Sequence, residues 1–185
     1  MPFRARLTLA ALLLAGSVPS AIAVASPAKP ADALHRLLIK EEIRDTLAHY
    51  NQLVDRDDGA PDRSAWMAMF TDDAEMRAFY PDGTPDIHLR GRPAIQKAFG
   101  GGGPKDSGLA SKHYIVNVVF DDVADTEVRT HINAMSVTTT KNLVNRHCEG
   151  CGTQPVAISM FIYDNTWVKI AGEWKIQRME VHFKN

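Results

Sequence analysis

The first long segment of the chain has the pattern of an amphipathic helix. Between Ile39 and Asp58, apolar side chains recur every three or four residues, at Ile39, Ile43, Leu47, Tyr50 and Val54. Gly59-Ala60-Pro61 then favours the end of the helix. Such a stripe has to be covered by another element, and most of the sequence after Ala74 reads as strands. We therefore expect this helix to lie across a sheet.

Two further helical segments precede the strands. Asp32 is placed to cap a helix that begins with Ala33-Leu34 and either continues into the Ile39 helix or bends before it. After Gly59 to Pro61, a short helix capped by Asp62 or Ser64 carries apolar residues that we assign to the core, and Thr71-Asp72-Asp73 ends it. These core candidates are Trp66, Met67, Met69 and Phe70.

The remainder alternates between apolar and polar positions, which is typical of strands. Asp121-Asp122 and Ala171-Gly172 are predicted turns, and the last strand needs a bulge near Gln177, because its apolar residues change parity there. Helices that come first and strands that come later favour an α+β fold with the helices on one face of a curved antiparallel sheet. The predicted strands are 74–80, 87–90, 112–121, 126–142, 156–169 and 174–183, with a helix over 94–99 between the second and the third.

The N-terminus reads as an export signal that does not belong to the folded domain. Arg4 and Arg6 precede the apolar run from Leu7 to Ala15, and Ala23-Val24-Ala25 is the small-residue pattern of a cleavage site. The run is too short for a lasting membrane anchor. We predict cleavage after Ala25, a periplasmic or secreted protein, a flexible leader over 26–33 and one domain over 34–185.

Charge and cysteine content narrow the range of partners. The formal net charge of the 185 residues is −1, so the sequence makes no electrostatic case for binding nucleic acid. Cys148 and Cys151 would meet an oxidising compartment after export, which favours a local disulfide as much as two free thiols. Zinc binding with His147 is the weaker alternative, because no fourth ligand is evident. We expect no metal and no cofactor.

The chemistry that the sequence offers rests on Asp55 and His113. His113 opens the strand SKHYIVNVVF, in which simple alternation places it on one face with Ile115, Asn117 and Val119. A carboxylate bonded to one ring nitrogen fixes the imidazole tautomer and leaves the other nitrogen as a general base. Such a pair suits proton abstraction next to an activating group. Helical periodicity alone argues against the pair, since Asp55 lies roughly 120° from the centre of the apolar stripe.

Several segments in this order resemble a SnoaL-like domain of the nuclear-transport-factor-2-like superfamily. They are the helix with Tyr50 and Asp55, WMAMFTDDA from Trp66, LRGRPAI, SKHYIVN and the terminal AGEWKI hairpin. The resemblance covers about Leu34 to Phe183. It implies a cone of strongly bent antiparallel strands closed by helices, with an internal apolar cavity, and commonly a homodimer packed through the sheet.

Within this superfamily, QLVDRDD and SKHYIVN are most similar to segments of the scytalone dehydratase and hexachlorocyclohexane dehydrochlorinase group. The resemblance implies that His113 takes the proton, that Asp55 orients it, and that Asp55 faces the cavity. Dehydratases of this group have a second histidine where this chain has Thr138, which makes water doubtful as the leaving group. Thr138 joins Tyr50, Asn117 and Arg129 as a candidate for contact with the substrate.

The sequence thus predicts an exported, cofactor-independent lyase or isomerase that acts on a small, largely apolar molecule. Two other functions remain open. The chain could be a protein that binds a small apolar ligand without chemistry, or an accessory domain that binds a partner through the outer face of its sheet.

Overall fold

A computed structural model describes residues 29–55, 63–99, 109–140 and 155–184. The predicted signal peptide, Asp57 and Asp58, the glycine run at 100–103 and the cysteines Cys148 and Cys151 lie outside these ranges. Within the described ranges, no helix is long and apolar enough to cross a membrane.

In the part of the chain that the structure describes, three helices and six strands form a layer of helices packed on one sheet. Strand β1 pairs in parallel with β6, and the other neighbouring strands are antiparallel, in the order β2-β1-β6-β5-β4-β3. The α+β class is therefore confirmed, with a mostly antiparallel sheet. The elements are α1 Pro30–Val54, α2 Ser64–Met67, β1 Phe70–Phe79, β2 Pro85–Arg90, α3 Arg92–Phe99, β3 Leu109–Val123, β4 Glu127–Thr140, β5 Pro155–Ile170 and β6 Glu173–Lys184.

Helix α1 buries the predicted stripe. Ile39, Ile43, Leu47 and Tyr50 are each at most 3% exposed, and Val54 is partly buried against the same cluster. The helix is continuous and starts at Pro30, four residues before the predicted domain boundary, because proline is well tolerated in a first helical turn. It ends at Val54 instead of Asp58, with Asp55 as its C-terminal cap.

The inner face of the sheet, which faces α1, completes the core. Trp66, Met67, Met69 and Phe70 are buried, as the sequence predicted. From the strands, the inner face adds the buried residues Ala74, Met76, Ala78, Val128, Ile132, Ala134, Phe161, Tyr163, Trp167, Trp174, Ile176 and Met179.

The bulge predicted near Gln177 is confirmed. Trp167 pairs with Ile176 and Thr166 pairs with Arg178, so Gln177 has no opposite residue on β5. The extra residue allows both Ile176 and Met179 to point inward. At the Ala171-Gly172 turn both residues have positive φ, 52° and 88°, as a two-residue hairpin loop requires.

Two predicted boundaries are wrong. Thr71 to Asp73 do not end a helix but belong to β1, because Phe70 pairs with Ile176 of the distant strand β6. Asp121-Asp122 is not a turn: Asp122 lies opposite Arg129 within the β3–β4 pair, and the chain turns after Val123. In both places, pairing with a neighbouring strand prevails over the local preference of the aspartates for turns.

Candidate functional site

The end of α1 reaches β3 because this strand lies along one flank of the helix. The Arg44 guanidinium lies 5.0 Å and the Lys40 ammonium 5.4 Å from the ring centre of Phe120 on β3. Asp55 follows Arg44 by eleven residues, which is close to three full helical turns and therefore the same side of the helix. The roughly 120° offset from the buried stripe is thus the direction of β3 and not of solvent.

Asp55 and His113 are in direct contact. The Nδ1 of His113 lies 2.5 Å from Asp55 Oδ1, and the backbone N–H of His113 donates to Oδ2 over 2.7 Å. The Lys112 ammonium donates to the backbone carbonyl of Asp55 over 2.9 Å. Both oxygens of the carboxylate are therefore held by a single residue of β3, and the end of the helix is tied to the same strand.

This geometry determines which ring nitrogen is available for chemistry. With the carboxylate on Nδ1, the neutral imidazole carries its proton there, and the lone pair is on Nε2. The side chains of Asp55 and His113 are 12% and 23% exposed, so the pair is largely shielded from water. No residue in the described ranges hydrogen-bonds to Nε2.

The ring of His113 faces the interior. It packs edge-on against Phe161 of β5 at 5.9 Å and 63°, and Ser136 of β4 lies opposite it in the register. Phe161 in turn packs against Tyr163 at 4.9 Å and against Phe183 at 6.2 Å. The imidazole ring therefore lies at the edge of an aromatic cluster, and an apolar setting of this kind favours an imidazole base.

Thr138 lies on the inner face, in the row next to His113. Its hydroxyl is 2.8 Å from the Ser111 hydroxyl, its partner across the β3–β4 pair. A threonine in this position cannot titrate as a histidine would. Ser111 and Thr138 therefore give this end of the site two small hydroxyl groups. Neither residue is a second acid or base.

Tyr50 is a core residue whose hydroxyl points at the sheet. It is 3% exposed, donates to the Met179 sulfur over 3.9 Å and packs edge-on against Trp66 at 6.0 Å. Burial raises the pKa of the Tyr50 hydroxyl far above its ordinary value of 10. Tyr50 is therefore a neutral hydrogen-bond donor at the floor of the interior.

Asn117 and Arg129 differ from the prediction, since both lie on the outer face of the sheet. The register shifts between Ile115 and Asn117, so Val118 and not Asn117 packs against the core with Ile115. Asn117 accepts a 2.6 Å hydrogen bond from Asn133, and Arg129 pairs with Glu127 at 3.0 Å. The extra residue at the bulge reverses which later residues of β3 face inward, and simple alternation does not predict this reversal.

Strand β5 contributes residues that the sequence reasoning did not select. Phe161, Tyr163 and Asn165 occupy successive inner positions and are buried. Burial raises the pKa of Tyr163 well above its ordinary value of 10, so it too is a neutral phenol. The signal was the alternation FIYDNTW, whose inward members are two aromatics, an amide and Trp167.

A second histidine–aspartate contact lies on the outer face. His131 Nδ1 is 2.7 Å from Asp164 Oδ1, but the two side chains are 37% and 42% exposed. This pair has the same atoms in contact as Asp55 and His113 without their burial. It is therefore a matched control for experiments on the inner pair.

The described ranges hold no group of three histidine, cysteine, aspartate or glutamate side chains arranged to bind a metal ion. The chemistry available in these ranges is that of a base on the inner face, backed by a carboxylate and surrounded by aromatic and hydroxyl groups.

Solved structures with this fold include enzymes. A putative scytalone dehydratase from Novosphingobium aromaticivorans is 21% identical, covers 83% of this chain and 89% of its own, and superposes with a TM-score of 0.62. A type 2 hexachlorocyclohexane dehydrochlorinase (LinA) is 16% identical over 83% of this chain and 90% of its own, with a TM-score of 0.56. An NTF2-like protein with a cystatin-like fold, also from N. aromaticivorans, is 21% identical over 83% and 86%, with a TM-score of 0.54.

Among curated proteins, none matches the chain. The family model described as a SnoaL-like domain matches residues 35–180, a span that begins in α1, ends in β6 and includes both Asp55 and His113. The chain therefore belongs to the SnoaL-like family and has the NTF2-like fold, a long N-terminal helix packed on a mostly antiparallel sheet.

Proposed function

We propose that this protein is a cofactor-independent enzyme of the lyase or isomerase type, in which His113 is the general base and Asp55 orients it. The observation that carries the proposal is the contact of Asp55 with Nδ1 of a ring that packs against the buried Phe161, because this contact leaves the lone pair of the neutral imidazole on Nε2. The similarity to a putative scytalone dehydratase and a dehydrochlorinase supports the same class of reaction.

The proposed reaction begins with proton abstraction. Nε2 of His113 takes a proton from a carbon next to an activating carbonyl, and the electron pair of the C–H bond becomes the carbon–carbon π bond of an enolate; where a halide leaves in the same step, that pair forms an alkene instead. The imidazolium that forms is stabilised by the Asp55 carboxylate. The electron pair then expels a leaving group from the adjacent carbon, or the proton returns at another carbon and the double bond migrates.

Thr138 bears on the choice of leaving group. Loss of water requires an acid that protonates the departing hydroxyl, and the threonine hydroxyl is already 2.8 Å from Ser111. A halide needs no such proton. We therefore favour elimination of an anion, or double-bond migration, over dehydration.

Hydrogen–deuterium exchange tests the base directly. A panel of small carbon acids, such as cyclic ketones and halogenated cyclohexanes, is incubated in D₂O, and exchange or elimination is followed by proton NMR. We expect His113→Ala to lower the rate on any active compound by on the order of 100- to 10,000-fold, with partial rescue by added imidazole. A variant that keeps the wild-type rate would contradict the role of His113.

His131→Ala is the matched control. It removes the histidine of the exposed outer pair, so it should leave exchange unchanged. Equal losses in the two variants would indicate damage to the fold and not to a catalytic base.

The second candidate is a protein that binds an apolar ligand without chemistry. The observation that favours it is the same Thr138–Ser111 pair, which replaces a titratable group by hydroxyls bonded to each other. A compound that binds wild-type protein at micromolar concentration, yet shows no exchange or turnover at any pH between 5 and 9, would support this function over the first.

The location and the assembly of the protein are part of the proposal. We infer export with cleavage after Ala25, which mass spectrometry of the mature protein from a secreting host tests. We also propose a homodimer through the outer face, because apolar side chains of β3 and β5 are exposed there, Val116 to 62% and Ile158 to 64%. An accessory role would use the same face for a different protein.

A further inference from the structure

Asn165 is a buried amide whose polar atoms have no hydrogen-bond partner among the described residues. It lies on the inner face of β5, between Thr130 of β4 and Met179 of β6. Its side chain is buried, with the whole residue only 3% exposed. Neither its oxygen nor its nitrogen has a partner in the part of the chain that the structure describes.

Such an amide is exceptional, because buried side-chain polar groups are nearly always paired and an unpaired one lowers stability. The polar side chains next to Asn165 on the inner face do form a hydrogen bond. The Trp167 indole N–H donates to the Thr130 hydroxyl over 2.9 Å, directly beside Asn165. Because the unpaired amide of Asn165 lowers stability, we look for its role in binding a ligand.

The amide belongs to the same interior as His113. Phe161, Tyr163 and Asn165 follow one another on the inner face of β5, and Phe161 packs edge-on against the His113 ring at 5.9 Å. At the other end, the Tyr50 hydroxyl reaches the sulfur of Met179, which lies opposite Asn165. One surface of inner-face side chains, two of them aromatic, thus connects the proposed base with the unpaired amide.

The length of this surface sets the shape of a ligand. Ser159 lies in the row of His113, because both pair with Ser136, and Asn165 is six residues farther along β5. At about 3.3 Å per residue, this separates the two rows by at most about 20 Å along the strand. A molecule that reaches both groups is elongated.

We propose that Asn165 is the anchor for an oxygen function, a hydroxyl or a carbonyl, at the far end of an elongated and otherwise apolar ligand whose other end lies at His113. A hydroxyl can accept from the amide nitrogen and donate to the amide oxygen, so it satisfies both unpaired atoms. The assignment of the reacting end rests on the proposed function, whereas the anchor itself is a property of binding alone.

Paired probes test the anchor without any reaction. Biphenyl and 4-hydroxybiphenyl, and biphenyl and 4-acetylbiphenyl, differ only in the oxygen function, and quenching of tryptophan fluorescence measures their affinities. We expect the wild type to prefer the oxygenated member by on the order of ten- to hundredfold. Asn165→Leu should reduce this preference to less than threefold while the affinity for biphenyl stays within threefold.

Thermal stability separates ligand binding from a structural role. Leucine removes an unpaired amide from an apolar site, so Asn165→Leu should melt at the same temperature as the wild type or higher. Should the leucine variant not fold, Asn165→Ala avoids the added bulk and is expected to lose the preference equally. Asn133→Leu is the control, because Asn133 lies on the outer face and pairs with Asn117.

Three results would overturn the proposal: an unchanged preference in Asn165→Leu, a lower melting temperature of this variant with the preference intact, or no binding of either oxygenated probe by the wild type. The failure of the proposed reaction is a separate outcome. In that case His113→Ala would leave deuterium exchange unchanged, while the preference measured at Asn165 would persist.

Discussion

Asp55→Asn is the substitution that most sharply tests the link between geometry and chemistry at this site. The carboxylate accepts from both the backbone N–H and Nδ1 of His113, at 2.7 and 2.5 Å. An asparagine has only one oxygen, and the backbone N–H can only donate. The oxygen is therefore expected to stay on the backbone, and the amide nitrogen is expected to donate to Nδ1. That arrangement moves the imidazole proton to Nε2 and removes the lone pair that the proposed reaction uses.

The size of the effect follows from the hydrogen bonds. Stability should fall by about 1.5–3 kcal/mol, the net worth of one hydrogen bond to a charged group. For a chain of this length, this corresponds to a decrease in melting temperature of about 3–12 °C. The rate of deuterium exchange should fall by on the order of 100- to 10,000-fold, because the variant both misplaces the proton and no longer stabilises the imidazolium.

Two measurements check this reasoning apart from activity. Denaturant unfolding gives the change in stability, and ¹⁵N NMR of the histidine rings reports which nitrogen carries the proton. The reasoning would be refuted if His113 kept its Nδ1 proton in Asp55→Asn, or if the variant exchanged substrate at the wild-type rate. Asp164→Asn at the exposed outer pair is the control and should change stability by no more than about 1 kcal/mol.

Three further predictions concern the fold and its assembly. Ile43 is fully buried between α1 and the sheet, so Ile43→Ala should cost about 2–5 kcal/mol in denaturant unfolding, and a loss below about 1 kcal/mol would refute the packing. Arg77 and then His88 lower the pKa of Glu75 from its ordinary 4.5 to about 2. This contribution to stability is present above pH 4.5 and is lost as the pH falls to about 2, so the melting-temperature gap between the wild type and Glu75→Gln should close over that range, and a constant gap would contradict it. Met160 is 57% exposed on the outer face, so Met160→Asp should convert the proposed homodimer to monomer in sedimentation, whereas a dimer that persists would place the contact elsewhere.

Local patterns in the sequence were sufficient for much of the architecture. The stripe from Ile39 to Tyr50 repeats with the helical period, and its residues are buried as that period requires. The parity change in the last strand located the bulge at Gln177, because apolar residues on both sides of it had to face one core. The family resemblance added the direction of Asp55, which the helical period opposed.

The remaining features depend on contacts between distant parts of the chain. The bulge after Ile115 leaves no mark in the apolar pattern, since Val118 and Val119 are both valine and either could face inward. Asn117 was therefore assigned to the wrong face. The direction of Asp55 depends on the position of β3 along the flank of α1, where Phe120 contacts Arg44. Asn165 shares the parity of Tyr163 and Trp167, but it was missed because asparagine is a residue type that is mostly exposed.

The parallel pairing of β1 with β6 has a consequence for how the chain folds. Phe70 and Ile176, about 100 residues apart, are neighbours in the sheet, and β6 lies between β1 and β5. During synthesis, β1 and β5 therefore emerge before the strand that pairs with both of them. The edge of each strand that β6 will cover stays unpaired until β6 has left the ribosome. Chains that stop before Glu173 would expose two strand edges and the apolar face of α1 at once. The six-stranded sheet therefore cannot be completed until translation is almost finished, because the strand that joins its two halves is made last.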